Sequence, residues 1–154
     1  MTTRGIELLK SKGIPFQRMD YDPHERGVRF AAAALQLRKC AVLKSLVFSS
    51  DSGEFVFALM AGDGNVSAKK LARVTGHKHV APASPRDACR ITGYRVGGIS
   101  PLGSRQRLPV VLDARAIAEP MLVLNAGDRG VLVRMRTADL IAVLTPLIAD
   151  VRVD

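Results

Sequence analysis

The chain has 154 residues, 47% apolar and 24% charged, with 23 Lys and Arg against 14 Asp and Glu and a net charge of +9. This composition excludes a disordered chain, and the length suits a single domain over 1–154 that buries its core without disulfide or metal staples. No apolar run reaches the roughly 18–20 residues of a bilayer span, no apolar secretory segment opens the sequence, and Cys40 and Cys89 read as reduced thiols of a cytoplasmic protein.

Thr3 caps a first helix carrying Ile6 and Leu9, and Gly13 ends it. Pro15 to Tyr21 is a strand closed by an Asp22-Pro23 turn, and the alanine-rich run from Phe30 to Leu37 is a helix. Val42 to Ser49 and Phe55 to Met60 flank Asp51-Ser52-Gly53-Glu54 as a hairpin, followed by a loop over 61–65. Ser67 caps a helix that stops at Gly76, and Lys78 to Ala81 is a short strand. Ser84-Pro85-Arg86-Asp87 starts another helix, with an N-cap, a proline in the first turn and an acid at the third position. It ends at Gly93, before a glycine-rich loop to Gly103. Leu108–Asp113, Met121–Asn125 and Gly130–Met135 are strands, and Thr137 caps a last helix that Pro146 kinks or ends. Short helices mixed irregularly with strands argue an α+β fold: a curved mixed sheet or partial barrel of about six strands flanked by short helices.

Several catalytic patterns fail on inspection. Gly98-Ile99-Ser100-Pro101-Leu102 lacks the second glycine of a nucleophile elbow, and Ser67-Ala68-Lys69-Lys70 is better explained as a helix cap. His77 and His79 have no third ligand nearby in sequence, so no metal and no cofactor is expected.

Three features survive. Lys44 places an ammonium in the apolar strand Val42-Leu43-Lys44-Ser45-Leu46-Val47-Phe48, where burial costs several kcal/mol unless the charge is paired. It is either a functional cation or an edge residue that blocks strand pairing. The loop Gly93-Tyr94-Arg95-Val96-Gly97-Gly98-Ile99-Ser100-Pro101-Leu102-Gly103 can bring bare amides close to a carbonyl or oxyanion. Lys69, Lys70 and Arg73 share a helix face whose first-turn cations oppose the helix dipole, which suggests an anionic partner. Combined with the net charge, nucleic acid is a candidate partner.

Together these segments resemble the YbaK/ProX family of aminoacyl-tRNA deacylases, related to the editing domain of bacterial prolyl-tRNA synthetase. The resemblance rests on Ile14-Pro15-Phe16 with Tyr21, Val42 to Val47, Lys69-Lys70-Leu71-Ala72, Thr92 to Gly103, Arg107-Leu108-Pro109, Asp113 and Asn125-Ala126-Gly127-Asp128-Arg129-Gly130. It implies that Lys44 is the essential strand lysine and that Gly97 and Gly98 serve catalysis. It further implies that Tyr21, Ile99, Ser100, Pro101, Asn125 and Gly127 bind substrate, with Lys69, Lys70 and Arg73 as tRNA contacts. The implied partners are mischarged aminoacyl-tRNA and prolyl-tRNA synthetase, and the implied activity is removal of a wrong amino acid in trans, cysteine on tRNA-Pro or alanine. No protein nucleophile is needed, because the substrate's own thiol or water attacks. Asn125-Ala126 replaces a common Ser-Gly, Leu132 stands where some members carry an acid, and Ser45 replaces a common threonine. A catalytically inactive module binding tRNA or a synthetase, and a metal hydrolase using His77 and His79, stay open as other readings.

Overall fold

In a computed structural model, residues 1–22, 24 and 28–154 are described, with backbone only for 28–30. The chain forms α1 (Arg4–Ser11), β1 (Gln17–Asp20), α2 (Val28–Ala34), β2 (Leu43–Ser50), β3 (Phe55–Ala61), α3 (Ala68–Thr75), β4 (Val80–Pro82) and α4 (Pro85–Thr92). It continues with β5 (Val110–Asp113), β6 (Met121–Asp128), β7 (Val131–Arg136), α5 (Thr137–Leu144) and β8 (Leu147–Ala149). Short 3-10 turns span Lys39–Ala41 and Ala114–Ala118. The Pro23 half of the expected Asp22-Pro23 turn lies outside the described residues.

The strands form two sheets, ordered β1-β7-β6 and β4-β2-β3-β5-β8. β2 and β3 are the expected hairpin, with Lys44 opposite Met60, and β5 and β8 add in parallel. The fold is α+β as expected, but its strands divide between two open sheets rather than closing as a barrel. Among the described residues no helix is long and apolar enough to cross a membrane.

Leu9, Leu43, Val47, Phe57, Leu59, Leu122, Leu124, Val133, Met135 and Leu140 fill the space between the sheets. A second core, with Phe48, Ala58, Met60, Val111 and Val151, lies on the other face of the five-stranded sheet under Leu71 and Ala72 of α3. This two-sided burial follows from the period of two along β2: Leu43 and Val47 face one core, Leu46 and Phe48 the other.

The expected caps are present. Thr3, Ser67 and Ser84 accept the amides of Ile6, Lys70 and Asp87, and Gly76 and Gly93 end α3 and α4 with φ of 77°. Thr137 departs from its expected role. It is the first residue of α5, and its hydroxyl donates to the Glu119 carbonyl instead of capping the helix.

α1 is pressed onto the bulged end of β6. The Thr3 hydroxyl donates to the Ala126 carbonyl at 2.6 Å, and a β-carbon at Gly5 would collide with that same carbonyl. Gly5→Ala is therefore expected to destabilise the fold by about 1–3 kcal/mol, the usual cost of overpacking. Urea unfolding measures this, and an unchanged midpoint would refute the close approach.

Candidate active site

β2 has one edge that is only partly covered. β3 pairs with it along Leu43–Ser49, but on the other side β4 reaches only Phe48–Ser50. The odd-numbered residues turn their backbone groups to this side: Asp51 N–H donates to His79, and the Val47 carbonyl accepts from Ala83. At the start of the strand Val42 bridges to Val123 of β6. Between those anchors the edge borders a cavity of about 330 Å³. Its walls are Tyr21, Ala31, Val42–Leu46, Val96, Gly97, Ile99, Asn125 and Leu132, an apolar enclosure with a few polar groups set into it.

Five of the expected site residues meet here: Tyr21, Lys44, Gly97, Ile99 and Asn125. Lys44 leaves β2 on the α3 face and is half-buried. Its ammonium donates to the Gly64 carbonyl and, at 3.3 Å, to Asn65 Oδ1. Burial holds its pKa below the usual lysine value; the nearby Arg152 charge pushes the same way, and Asp63 opposes both. Ser45 is the unforeseen feature. Its Oγ is shielded from solvent at the cavity wall and has no hydrogen-bond partner among the described residues. Burial also raises the Tyr21 phenol pKa above its usual value.

The 95–99 loop is braced against the end of β6. Asn125 Nδ2 donates to the carbonyls of Gly97 and Asp128, both at 3.0 Å, while its Oδ1 accepts the Gly127 amide at 2.7 Å. Arg129 Nε donates to the Val96 carbonyl at 2.8 Å, and the Arg95 guanidinium lies 3.5 Å from Asp128. A register shift between Asn125 and Asp128 creates the bulge that presents these groups. Gly97 sits at φ +89°, in the left-handed region.

Four expected site residues do other work. The Gly98 amide closes a turn onto the Arg95 carbonyl at 2.8 Å, so it is already occupied and does not offer itself to an oxyanion. Ser100 is fully buried, and its hydroxyl accepts the Leu102 amide. Pro101 lines a separate pocket with Leu8, Phe57 and Val143. Gly127, at φ +117°, lies against Tyr94: a β-carbon there would come within 2.7 Å of the ring.

The α3 cations also separate. Lys69 and Arg73 are exposed and do not line the cavity. Lys70 folds back instead. Its ammonium meets Asp154 at 2.7 Å, the Arg152 carbonyl at 2.7 Å and Asp150 at 3.1 Å, and these partners hold its pKa above the usual value, the Asp154 bond most. The exposed Arg95 and the half-buried Arg129 stand on either side of the loop's bracing, Arg129 holding the Val96 carbonyl and Arg95 facing Asp128. His77 lies 3.6 Å from Glu54, and among the described residues no three His, Cys, Asp or Glu side chains gather as a metal set.

The sequence pattern did not mark Leu43, Leu46, Val96 and Leu132 as cavity wall, because apolar wall residues look like core residues in one dimension. The Asp63-Gly64-Asn65 segment showed only as a loop, although its acceptors receive the Lys44 ammonium.

Comparison with known proteins places this geometry. A protein of Enterococcus faecalis provisionally named the Cys-tRNA(Pro)/Cys-tRNA(Cys) deacylase EbsC is 24% identical over 151 residues, covering 97% of this chain and 92% of its own. The proline–tRNA ligase of Pelobacter propionicus is 32% identical over 108 residues, which are 69% of this chain but 19% of the ligase. A crystal structure provisionally described as a trans-editing enzyme for prolyl-tRNA synthetase superposes with a TM-score of 0.89 at 25% identity, covering 98% of this chain and 96% of that one. Residues 22–143, which carry Lys44, the braced loop and Asn125, match one family throughout, and the chain therefore belongs to the aminoacyl-tRNA editing domain family.

Proposed function

We propose that this protein is a deacylase that acts in trans on a mischarged aminoacyl-tRNA, with cysteine on tRNA-Pro as the first substrate and alanine as the second. The observation that supports this most is the 330 Å³ cavity in which Tyr21, Lys44, Gly97, Ile99 and Asn125 converge. Its volume lies at the lower end of the range for ligand sites, which suits a small aminoacyl group better than a bulky one. Leu43, Leu46, Ile99 and Leu132 would limit side-chain size, and Lys44 would set a cation against ribose or phosphate oxygens.

Chemistry at this site runs without a protein nucleophile. Among the described residues Ser45 is the sole serine of the wall, and no His, Asp or Glu there lines the cavity to activate it. For a cysteinyl ester, the substrate's thiol sulfur bonds to its own carbonyl carbon. The bond from that carbon to the ribose oxygen breaks, and the thiol proton passes to the departing oxygen. For an alanyl ester, water takes the place of the sulfur. Lys44 and the polar groups of the wall would stabilise negative charge on the carbonyl oxygen as the tetrahedral state forms.

The test is a panel of tRNA-Pro charged with Cys, Ala, Ser or Pro. The expected result is rapid ester loss with Cys, slower loss with Ala, and no acceleration with Pro. Ester lifetimes that stay unchanged across the panel, with tRNA still bound, would favour a binding module without turnover. This chain's membership of the editing-domain family, with its similarity to the EbsC relative and to the proline–tRNA ligases, supports tRNA as the partner. Docking onto a prolyl-tRNA synthetase is a further part of the proposal, suggested by the similarity to a 108-residue stretch of a proline–tRNA ligase.

A further inference from the structure

Lys44 is held by the turn 63–65, and that turn is itself held by the segment following β8. The family match ends at residue 143, so this second layer of support lies beyond it. Val66 bridges Arg152, Ser67 N–H donates to the Val151 carbonyl at 2.7 Å, and Val153 N–H donates to the Asn65 carbonyl at 2.9 Å. Arg152 supplies the side-chain link. Its guanidinium donates to Asp63 Oδ1 at 3.0 Å, and its Nε stands 3.7 Å from Asp113, a carboxylate that is 1% exposed. The same guanidinium lies flat against Gly64, where a β-carbon would come within 2.6 Å of Cζ. Gly64 is therefore clamped between Arg152 on one side and the Lys44 ammonium on its carbonyl.

We propose that Arg152 is a positioning residue for Lys44: by anchoring Asp63 and packing on Gly64, it fixes the two oxygens that aim the ammonium. This rests on the reading of Lys44 as a group that faces the substrate. Removing the guanidinium leaves Asp63 without its partner and Gly64 without its flat neighbour, and the turn that carries both acceptors loses its shape. A displacement of about 1 Å at such a group costs up to about a hundredfold in rate.

Charge gives the proposal a signature that a purely structural role lacks. Among the described residues the charged groups facing Lys44 are Arg152 and Asp63, with opposite effects on its proton affinity. Asp113 lies behind Arg152, while Lys70 is occupied by Asp150 and Asp154 on the far side of the segment.

The experiment combines steady-state deacylation with the titration of Lys44 followed by ¹³C NMR after reductive methylation, the signal being assigned by its loss in Lys44→Arg. Arg152→Gln is expected to lower kcat about tenfold with KM within about twofold of wild type, and to move the Lys44 titration to higher pH. Asp63→Asn, on the exposed rim, is expected to lower kcat as well but to move the titration to lower pH. Asp63→Asn also keeps the test open if Arg152→Gln fails to fold. Wild-type kcat in both variants, or lost activity with an unmoved Lys44 signal, overturns the proposal. If Lys44→Ala proves fully active, the reading of the site fails, but opposite titration shifts in the two variants would still establish the clamp.

Discussion

Lys44→Ala is expected to reduce kcat/KM for deacylation by about 10²–10³-fold, the range seen when one preorganised donor to a developing charge is removed. The residue lines a mostly apolar cavity, its ammonium is held by Gly64 and Asn65 of the neighbouring turn, and a charge that faces bound substrate there acts through a lower dielectric than water. Loss of folding is not the expected cause. Burial and Arg152 hold the lysine pKa below its ordinary value, so its charged form is disfavoured in the folded state. The sign follows from proton binding. Between the lowered folded value and the ordinary unfolded one, the unfolded chain holds more protons, and stability rises with pH. Below the folded value the full penalty is present. Lys44→Met is thus expected to be at least as stable as wild type at neutral pH, with the difference closing as pH climbs through that window. Activity carried by the ammonium should fall at a lower pH than an unperturbed lysine would give. The decisive readings are single-turnover ester hydrolysis and urea unfolding at several pH values. A variant that deacylates at the wild-type rate would remove Lys44 from the mechanism.

What the sequence made legible was local. Thr3, Ser67 and Ser84 announce helix starts because a cap needs only an oxygen three residues before an amide, and Gly76 and Gly93 announce stops because they supply the left-handed turn. β8 was hidden, since three residues after Pro146 become a strand only by pairing in parallel with β5, over thirty residues earlier. The candidate site divides along the same line. Lys44 stood out as a cation in an apolar run, but its acceptors, Gly64 and Asn65, lie across a hairpin. Lys70 looked like a free cation on a basic helix face because its acids follow 80 and 84 residues later. The glycine-rich loop was recognisable as a shaped segment, yet which amides remain free depends on the turn that uses Gly98 N–H and on the Asn125 side chain. Ser45 stood out only as a departure from a common threonine: its unpaired hydroxyl is a fact about neighbours, and those are set by the fold.

Gly98→Ala is the second large effect expected, and it acts through shape rather than through a donor. A β-carbon at Gly98 would stand 2.9 Å from both Cα and the carbonyl carbon of Asp128 and 3.0 Å from Arg129 N. All three are backbone atoms, so no side chain can swing aside, and either the loop or the β6 bulge must shift. Neither is free to do so cheaply. Asn125 ties Gly97 to the bulge, Arg129 ties Val96 to it, and the Gly98 amide closes the turn onto Arg95. Overpacking of this kind costs about 1–3 kcal/mol. Whatever displacement relieves it moves Gly97 and Ile99, two walls of the cavity, relative to Lys44 on β2. A fall of about tenfold or more in kcat/KM is expected alongside the loss of stability. Deacylation kinetics and urea unfolding on the same preparation read both quantities. If Gly98→Ala kept both the wild-type rate and the wild-type unfolding midpoint, the loop would not be the rigid wall that its bracing against Asp128 and Arg129 describes.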